Sequence, residues 1–156
     1  MIALARRNAN HHSYTNVSFV ESEITSTPLA DGSADCIISN CVINLVPHSR
    51  KHLVFKEMFR LLKVGGRIAV SDLLALKELP DAIRSNIAAY VGCIAGAAQV
   101  SQYEQWLHDA GFTGKPLLLE AKRSAHFRSR DFACRHEAGR QPVQDAMLQA
   151  GHLIYR

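Results

Sequence analysis

Four cysteines are the residues of this 156-residue chain whose chemistry is most specific: Cys36, Cys41, Cys93 and Cys134. They are too few and too irregularly spaced for a disulfide scaffold, and the chain has no CxxC pair for zinc or redox chemistry. We therefore expect reduced thiols, which can act as soft ligands once they lose their protons. Each cysteine could also be plain core filling, because a free cysteine packs like a small hydrophobic residue.

Several other side chains could transfer protons or bind a metal. The candidates for proton transfer are His48, His52, Asp72 and Tyr90. Each of these types is more often a surface or packing residue. Cys134 has His126 and His136 nearby, which could indicate a metal site, but we interpret these three as scattered surface residues.

The first half of the chain alternates between strand and helix patterns. The opening ten residues favour a helix that is entered part-way along. A strand is predicted over 17–20, and the short apolar run over 35–39 is typical of a parallel strand buried on both faces. Three-to-four spacing over 49–63 predicts an amphipathic helix that ends at the Gly65-Gly66 pair, and 67–74 is the next buried strand. These elements form a β-α-β unit.

The second half is predicted to be mainly helical. The elements are helices over 80–98 and 101–110, a strand over 117–121 and a short helix over 143–153. Ser101 and Glu104 would form a capping box at the start of the second helix, and Gly111 would end it.

The α/β pattern is that of the second half of a doubly wound sheet. Ligands of such sheets bind beyond the carboxyl ends of the strands, where residues 39–44 and 71–72 lie. Because many chemistries use this class of fold, the pattern alone does not name a ligand.

Two motifs with cysteines resemble those of the arsenite methyltransferases. Ser39-Asn-Cys-Val-Ile-Asn-Leu-Val-Pro47 is similar to the motif at the family's fourth strand. Further matches follow in the family's order: Lys63-Val-Gly-Gly-Arg67, Ser71-Asp72, Glu78-Leu-Pro80, Ile83-Arg84 and Tyr90-Val-Gly-Cys-Ile-Ala-Gly-Ala97. The resemblance covers roughly residues 1–112 and implies a partial Rossmann-like, class I methyltransferase fold.

This resemblance implies a site for trivalent arsenic. Cys41 and Cys93 would be the catalytic arsenic ligands, since a thiophilic centre selects thiolates. The lone pair of the bound arsenic would attack the methyl group of S-adenosyl-L-methionine, so catalysis rests on alignment and needs no general base. Cys36 is predicted to be a packing residue.

The resemblance also implies cofactor contacts. Glu23 and Ile24 correspond to residues near the adenine ring, and Ser39 and Asn40 to residues that line the cofactor. A solvated carboxylate is the alternative for Glu23. The family's first strand, its glycine-rich turn and its second strand have no counterpart in this sequence, because Met1 aligns inside the helix after the second strand.

Those two strands lie between the third and the fourth in the family's sheet. We therefore expect that the third strand pairs directly with the fourth, or that the exposed edges pair with another chain to give a dimer or a complex.

Three functions are consistent with these observations. The first is an arsenite methyltransferase, acting on arsenite or its thiol conjugate. The second is a biosynthetic enzyme that acts on an organic small molecule without methyl transfer. The third is a non-catalytic partner of a full-length relative.

Charge divides the chain into a domain over 1–121 and a basic tail over 122–156. The tail holds seven Lys or Arg against three acids, whereas the rest is balanced. The tail lacks aromatic interleaving, so we expect no nucleic-acid partner. No apolar run is as long as a membrane span, and no signal pattern opens the chain, so we expect a cytoplasmic protein without membrane contact.

Overall fold

The computed structural model describes residues 1–91, 93–123, 127–135, 145–149 and 152–155, with side-chain environments up to residue 113. The helices are α1 (Ile2–His11), α2 (Lys51–Leu61), α3 (Asp81–Arg84), α4 (Ile87–Val91) and α5 (Val100–Ala110). Two single 3-10 turns, Ile43–Leu45 and His48–Arg50, precede α2. The strands are β1 (Ser18–Glu21), β2 (Ala34–Asn40), β3 (Leu62–Ala75), β4 (Thr113–Arg123), β5 (Phe127–Arg135), β6 (Asp145–Gln149) and β7 (His152–Tyr155).

The strands form one sheet in the order β1-β7-β6-β2-β3-β5-β4. β2 is parallel to both β3 and β6, whereas the pairs β1–β7, β6–β7, β3–β5 and β4–β5 are antiparallel. The predicted β-α-β unit is β2, α2 and β3, and the predicted strand over 117–121 lies inside β4.

The core lies between the sheet and the helices α2 and α5. Ile37 from β2 and Ile68 from β3 are fully buried, as is Phe55 from α2. The rings of Phe55 and Tyr103 meet edge to face, with their centroids 4.9 Å apart. This contact joins the two helices over the strands whose ends carry the cysteine motifs. Cys36 is buried in β2, as predicted.

The glycine pair does not end α2. The helix ends at Leu61, and Leu62 is already extended with ψ of 136°. Gly65, with φ of 86°, lies within β3, where the partner of β2 jumps from Leu62 to Arg67. The glycines therefore permit an irregular stretch inside a long strand.

The predicted helix over 80–98 is instead two short helices and a loop. The side chain of Asn86 accepts a hydrogen bond from the Ala89 amide at 3.1 Å, so Asn86 caps the start of α4. Cys93 then has a left-handed φ of 60°, which ends helical geometry. The predicted cap of α5 is also displaced, because Gln99 and Gln102 form the capping box. Gly111, at φ of 103°, ends α5 as predicted.

The tail contains strands where a helix over 143–153 was predicted. β6 and β7 lie between β1 and β2 in the sheet, so β1 does not pair directly with β2. The expected direct pairing of these two strands was wrong, because the edge of β2 pairs with β6 and the edge of β1 pairs with β7. The two tail strands lie where the resemblance places the family's first two strands, although β7 is antiparallel to both of its neighbours. The division at residue 121 stays a prediction.

Among the described helices, none has the length and apolar character that crossing a membrane requires.

Candidate functional site

The candidate site lies where β2 and β3 end side by side. Asn40, the last residue of β2, is in register with Ser71 of β3. The Cys41 amide donates a hydrogen bond to the Ser71 carbonyl oxygen at 2.8 Å, so the first residue after β2 is fixed to the neighbouring strand. Cys41 is thereby held at the carboxyl edge of the sheet, and it is exposed there.

The loop after α4 brings Cys93 to Cys41. The Cys93 thiol donates a hydrogen bond to the Cys41 carbonyl oxygen, with Sγ and O 3.3 Å apart, although the residues are 52 positions apart in sequence. Cys93 is partly buried. Two thiols from separate segments therefore share one edge of the sheet.

Both cysteines have a left-handed backbone. Cys41 has φ of 54° and Cys93 φ of 60°, and Ser13 is the third non-glycine residue with positive φ in the described part of the chain. Such a conformation costs a residue other than glycine about 1–2 kcal/mol. Strain of this kind clusters at functional sites, where the surrounding structure enforces it.

A buried ionic cluster lies beneath the two thiols. The Tyr103 hydroxyl donates to Asp72 Oδ2 at 2.8 Å, and all three side chains of Tyr103, Asp72 and Lys51 have no exposed surface. Lys51 Nζ donates to the Ile43 carbonyl oxygen at 2.6 Å. The cluster joins α2, β3 and α5 directly behind the candidate site.

Burial sets the protonation of this cluster. It raises the pKa of Asp72 to about 6, against the opposing influence of the Tyr103 hydroxyl and the Lys51 charge. It lowers the pKa of Lys51 to about 8, although the charge of Asp72 acts the other way. At neutral pH the two groups therefore carry opposite charges, which interact through space.

The two thiols are protonated at neutral pH for the same reason. Burial raises the pKa of Cys41 and of Cys93, and the negative charge of Asp72 adds to both shifts. The Lys51 charge opposes the shift at Cys93. Any ligand that binds through thiolates must therefore accept or displace their protons.

Three buried polar atoms near the strand ends have no hydrogen-bond partner among the described residues: Ser39 Oγ, Asn44 Oδ1 and Asp72 Oδ1. Buried polar atoms are normally satisfied by protein, water or ligand. Their position at the carboxyl ends of β2 and β3 is where ligands of such sheets bind.

Two surface depressions adjoin the segments that carry the cysteines. A shallow one of about 320 Å³ is lined by Ser22, Glu23, Ile24, Thr25, Val42, Leu45, Val46, Pro47 and Arg50. A deeper cleft of about 350 Å³ includes His48, Lys51, Lys77, Glu78, Arg84 and Tyr90 in its lining. Among described residues, no cluster of three or more His, Cys, Asp or Glu could hold a metal ion.

Comparison with known proteins identifies the family. Residues 1–111 match the family described as a methyltransferase domain. The chain belongs to this methyltransferase family.

Its curated relatives are arsenite methyltransferases. Over 112 residues it is 39% identical to the arsenite methyltransferase of Halobacterium salinarum, covering 72% of this chain and 28% of that protein. Over 126 residues it is 39% identical to the arsenite methyltransferase of Aquipseudomonas alcaligenes, covering 76% of this chain and 36% of that protein. The resemblance predicted from the two cysteine motifs is confirmed.

A solved structure agrees with the fold. The X-ray structure of an arsenic(III) S-adenosylmethionine methyltransferase from Chlamydomonas reinhardtii matches with a TM-score of 0.59 and 30% identity, covering 79% of this chain and 44% of that one. The partial Rossmann-like class I methyltransferase fold is thereby confirmed. The chain spans less than half the length of each of these relatives.

Within this methyltransferase fold, the predicted site residues fall into two groups. Cys41 and Cys93 meet at the sheet edge, and Ser39 and Asn40 precede them at the end of β2. Glu23 and Ile24 line the shallow depression, which Val42 also lines. Their cofactor contacts stay predictions.

Glu23 already has a partner in the structure. Its carboxylate accepts a hydrogen bond from Arg50 at 2.6 Å, and the pair is exposed to solvent. The hydrogen bond and charge of Arg50 lower the pKa of Glu23. The predicted alternative, a solvated loop carboxylate, matches this environment.

The predicted proton-transfer residues are dispersed. His48 and Tyr90 line the deeper cleft, Asp72 is buried behind the thiols, and His52 lies on α2 outside the lining of both depressions. His126 and His136 lie outside the described residues. The side chain of Cys134, on β5, also lies outside the described environments.

Sequence reasoning missed Lys51 and Tyr103. Helical spacing could have found both, because Lys51 lies three and four residues before the buried Val54 and Phe55, and Tyr103 lies four before the buried Leu107. A charged or hydroxyl group on a buried helix face is informative, since such a group needs a partner.

Proposed function

We propose that this domain is an arsenite methyltransferase in which Cys41 and Cys93 bind trivalent arsenic as substrate. The observation that carries the proposal is the 3.3 Å contact between the Cys93 thiol and the Cys41 carbonyl oxygen, made by two strained residues from distant segments. The names of the curated relatives support the same substrate.

The chemistry of capture suits protonated thiols. Two thiols and arsenite, As(OH)₃, give two As–S bonds, and each thiol proton leaves with a displaced hydroxyl group as water. No separate base is consumed, so the raised pKa values of Cys41 and Cys93 do not obstruct binding. The third arsenic ligand and the lone pair remain free for reaction.

The buried charges of Asp72 and Lys51 would organise this site. Asp72 and Lys51 keep opposite charges close behind the thiols, so the field near the arsenic is fixed before substrate arrives. Methyl transfer moves positive charge onto arsenic, and a preorganised carboxylate favours that change.

The cofactor proposal rests on the shallow depression. Its walls of Ile24, Val42 and Leu45 are apolar and suit one face of an adenine ring, and the polar atoms of Ser39 and Asn40 lie toward the strand ends. When bound, S-adenosyl-L-methionine supplies an electrophilic methyl group. The residues of this chain would hold its adenine end, and the two thiols would hold the arsenic so that its lone pair faces that methyl group.

The decisive experiment measures arsenite affinity by calorimetry for the wild type and for Cys41→Ser, Cys93→Ser and the double variant. Loss of one of two As–S bonds is expected to weaken binding at least about tenfold. Cys36→Ala is the matched control, because it removes a buried thiol outside the site, and its affinity should stay near that of the wild type. Unchanged affinity in the double variant would refute the arsenic site.

Methyl transfer is tested separately. The wild type, incubated with arsenite and S-adenosyl-L-methionine, is expected to yield methylated arsenic that mass spectrometry detects, and the double cysteine variant is not. Arsenite binding without any methylated product would restrict the domain to arsenic capture.

A further inference from the structure

The segment that carries Cys93 is fastened to the turn after β2 at three points. Tyr90 Oη donates a hydrogen bond to the Leu45 carbonyl oxygen at 2.5 Å, and the Cys93 thiol donates to Cys41. The third point is the close approach of Gly96 to Asn44. The contacts follow one another along the segment, so they determine where Cys93 lies.

Gly96 is the tightest of these contacts. A β-carbon at this position would lie 1.9 Å from the Asn44 carbonyl oxygen and 3.0 Å from its carbonyl carbon. Both atoms belong to the backbone, so no side-chain rotation relieves the overlap. Any other residue at 96 must move one segment away from the other.

Hydrogen bonds hold both sides of this contact. Asn44 is fully buried, and its Nδ2 donates to the Leu73 carbonyl oxygen of β3 at 2.7 Å. On the other side, the Ala75 amide donates to the Ala98 carbonyl oxygen at 2.9 Å, which anchors the segment just beyond Gly96. Displacement is therefore directed toward the part that holds Cys93.

We propose that Gly96 is a positioning residue that sets the Cys93 thiol at the correct distance from Cys41 for both to bind one arsenic atom. The inference rests on the proposed arsenic site. Two ligands held in place before binding act at a high effective concentration, and a displacement of about 1 Å is enough to lose most of that advantage. Gly96 thus affects the binding of arsenic by both thiols without contacting the substrate.

The test compares Gly96→Ala with Ala95→Gly, which also changes the loop but adds no atom. Arsenite affinity is measured by calorimetry, and iodoacetamide alkylation of Cys93 reports its reaction as a single thiol. In Gly96→Ala, arsenite affinity should fall at least about tenfold while Cys93 alkylation stays within about threefold of the wild type. Ala95→Gly should change both by less than about threefold.

If Gly96 only stabilised the fold, its replacement would change the melting temperature and the alkylation of Cys93. General unfolding would raise the rate of Cys93 alkylation and lower the melting temperature. A misplaced Cys93 thiol lowers only the affinity for arsenite, which needs both thiols. A folded Gly96→Ala variant with wild-type arsenite affinity overturns the proposal.

A second variant decides the matter if Gly96→Ala does not fold. Tyr90→Phe removes only the hydroxyl that bonds Leu45, and arsenite affinity should fall several-fold with unchanged Cys93 alkylation. Unchanged affinity here would equally overturn the proposal. If the double cysteine variant keeps its affinity, the arsenic site itself fails. If it loses affinity while Gly96→Ala does not, only the positioning role fails.

Discussion

Cys41 and Cys93 have a left-handed backbone that lowers the stability of the protein, independently of any role of their thiols in binding. Replacing Cys41 by glycine or by alanine removes the thiol equally, but only glycine adopts φ of 54° without a steric penalty. We expect the glycine variant to be more stable than the alanine variant by about 1 kcal/mol in free energy of unfolding, measured by urea denaturation.

The same pair of substitutions at Cys36 provides the control. Cys36 lies inside β2, where glycine is less favourable than alanine by about 0.5–1 kcal/mol, so the order of stabilities should reverse. An identical order at both positions would show that backbone strain at Cys41 is not the cause.

At the scale of elements, Glu57 of α2 holds the connection between β1 and β2. Its carboxylate is nearly buried, accepts hydrogen bonds from the Thr27 amide and hydroxyl at 2.7 Å each, and is paired with Arg60. The hydrogen bond from Arg60 is the largest cause that lowers the pKa of Glu57 to about 2. The residue therefore ties the loop after Glu23 and Ile24 to a helix.

This pairing predicts an acid-dependent loss of stability. Because the folded pKa lies below the unfolded value, the stabilisation is complete above about pH 4.5 and is lost as pH falls toward 2. Glu57→Gln should be less stable than the wild type by about 2 kcal/mol at pH 7, and the difference should shrink below pH 4. Thermal melts from pH 2 to 7 measure this. A difference that is constant with pH would contradict it.

The sequence predicted elements with clear periodicity and missed those set by contacts distant in sequence. β2 and β3 follow from their apolar runs, α2 from its apolar spacing and α5 from the glycine that ends it. The break at Asn86 and the turn at Cys93 do not, because the first depends on a side-chain cap and the second on contacts with the turn after β2. The cysteine pair was predictable from the motifs, whereas the buried partners Lys51 and Tyr103 required the packing of α2 against α5.

At the scale of the whole molecule, β6 and β7 lie between β1 and β2 in the sheet. The expected dimer stays a prediction. Open edges of β1 and β2 no longer support it, because both edges are paired within the chain. Removing residues 145–155 would open both edges again, and exposed strand edges promote association. We therefore expect the shortened chain to form larger species than the full chain in size-exclusion chromatography with light scattering. Equal masses for the two chains would argue against this arrangement.

The sheet order also determines when this molecule can fold during synthesis. β6 and β7 come after the other strands that the structure describes, yet they separate β1 from β2. β1 and β2 therefore leave the ribosome well before β6 and β7, which lie between them in the sheet. Pairing between such distant segments is slow, and until it occurs the nascent chain exposes two strand edges, which is when chaperones would be needed most.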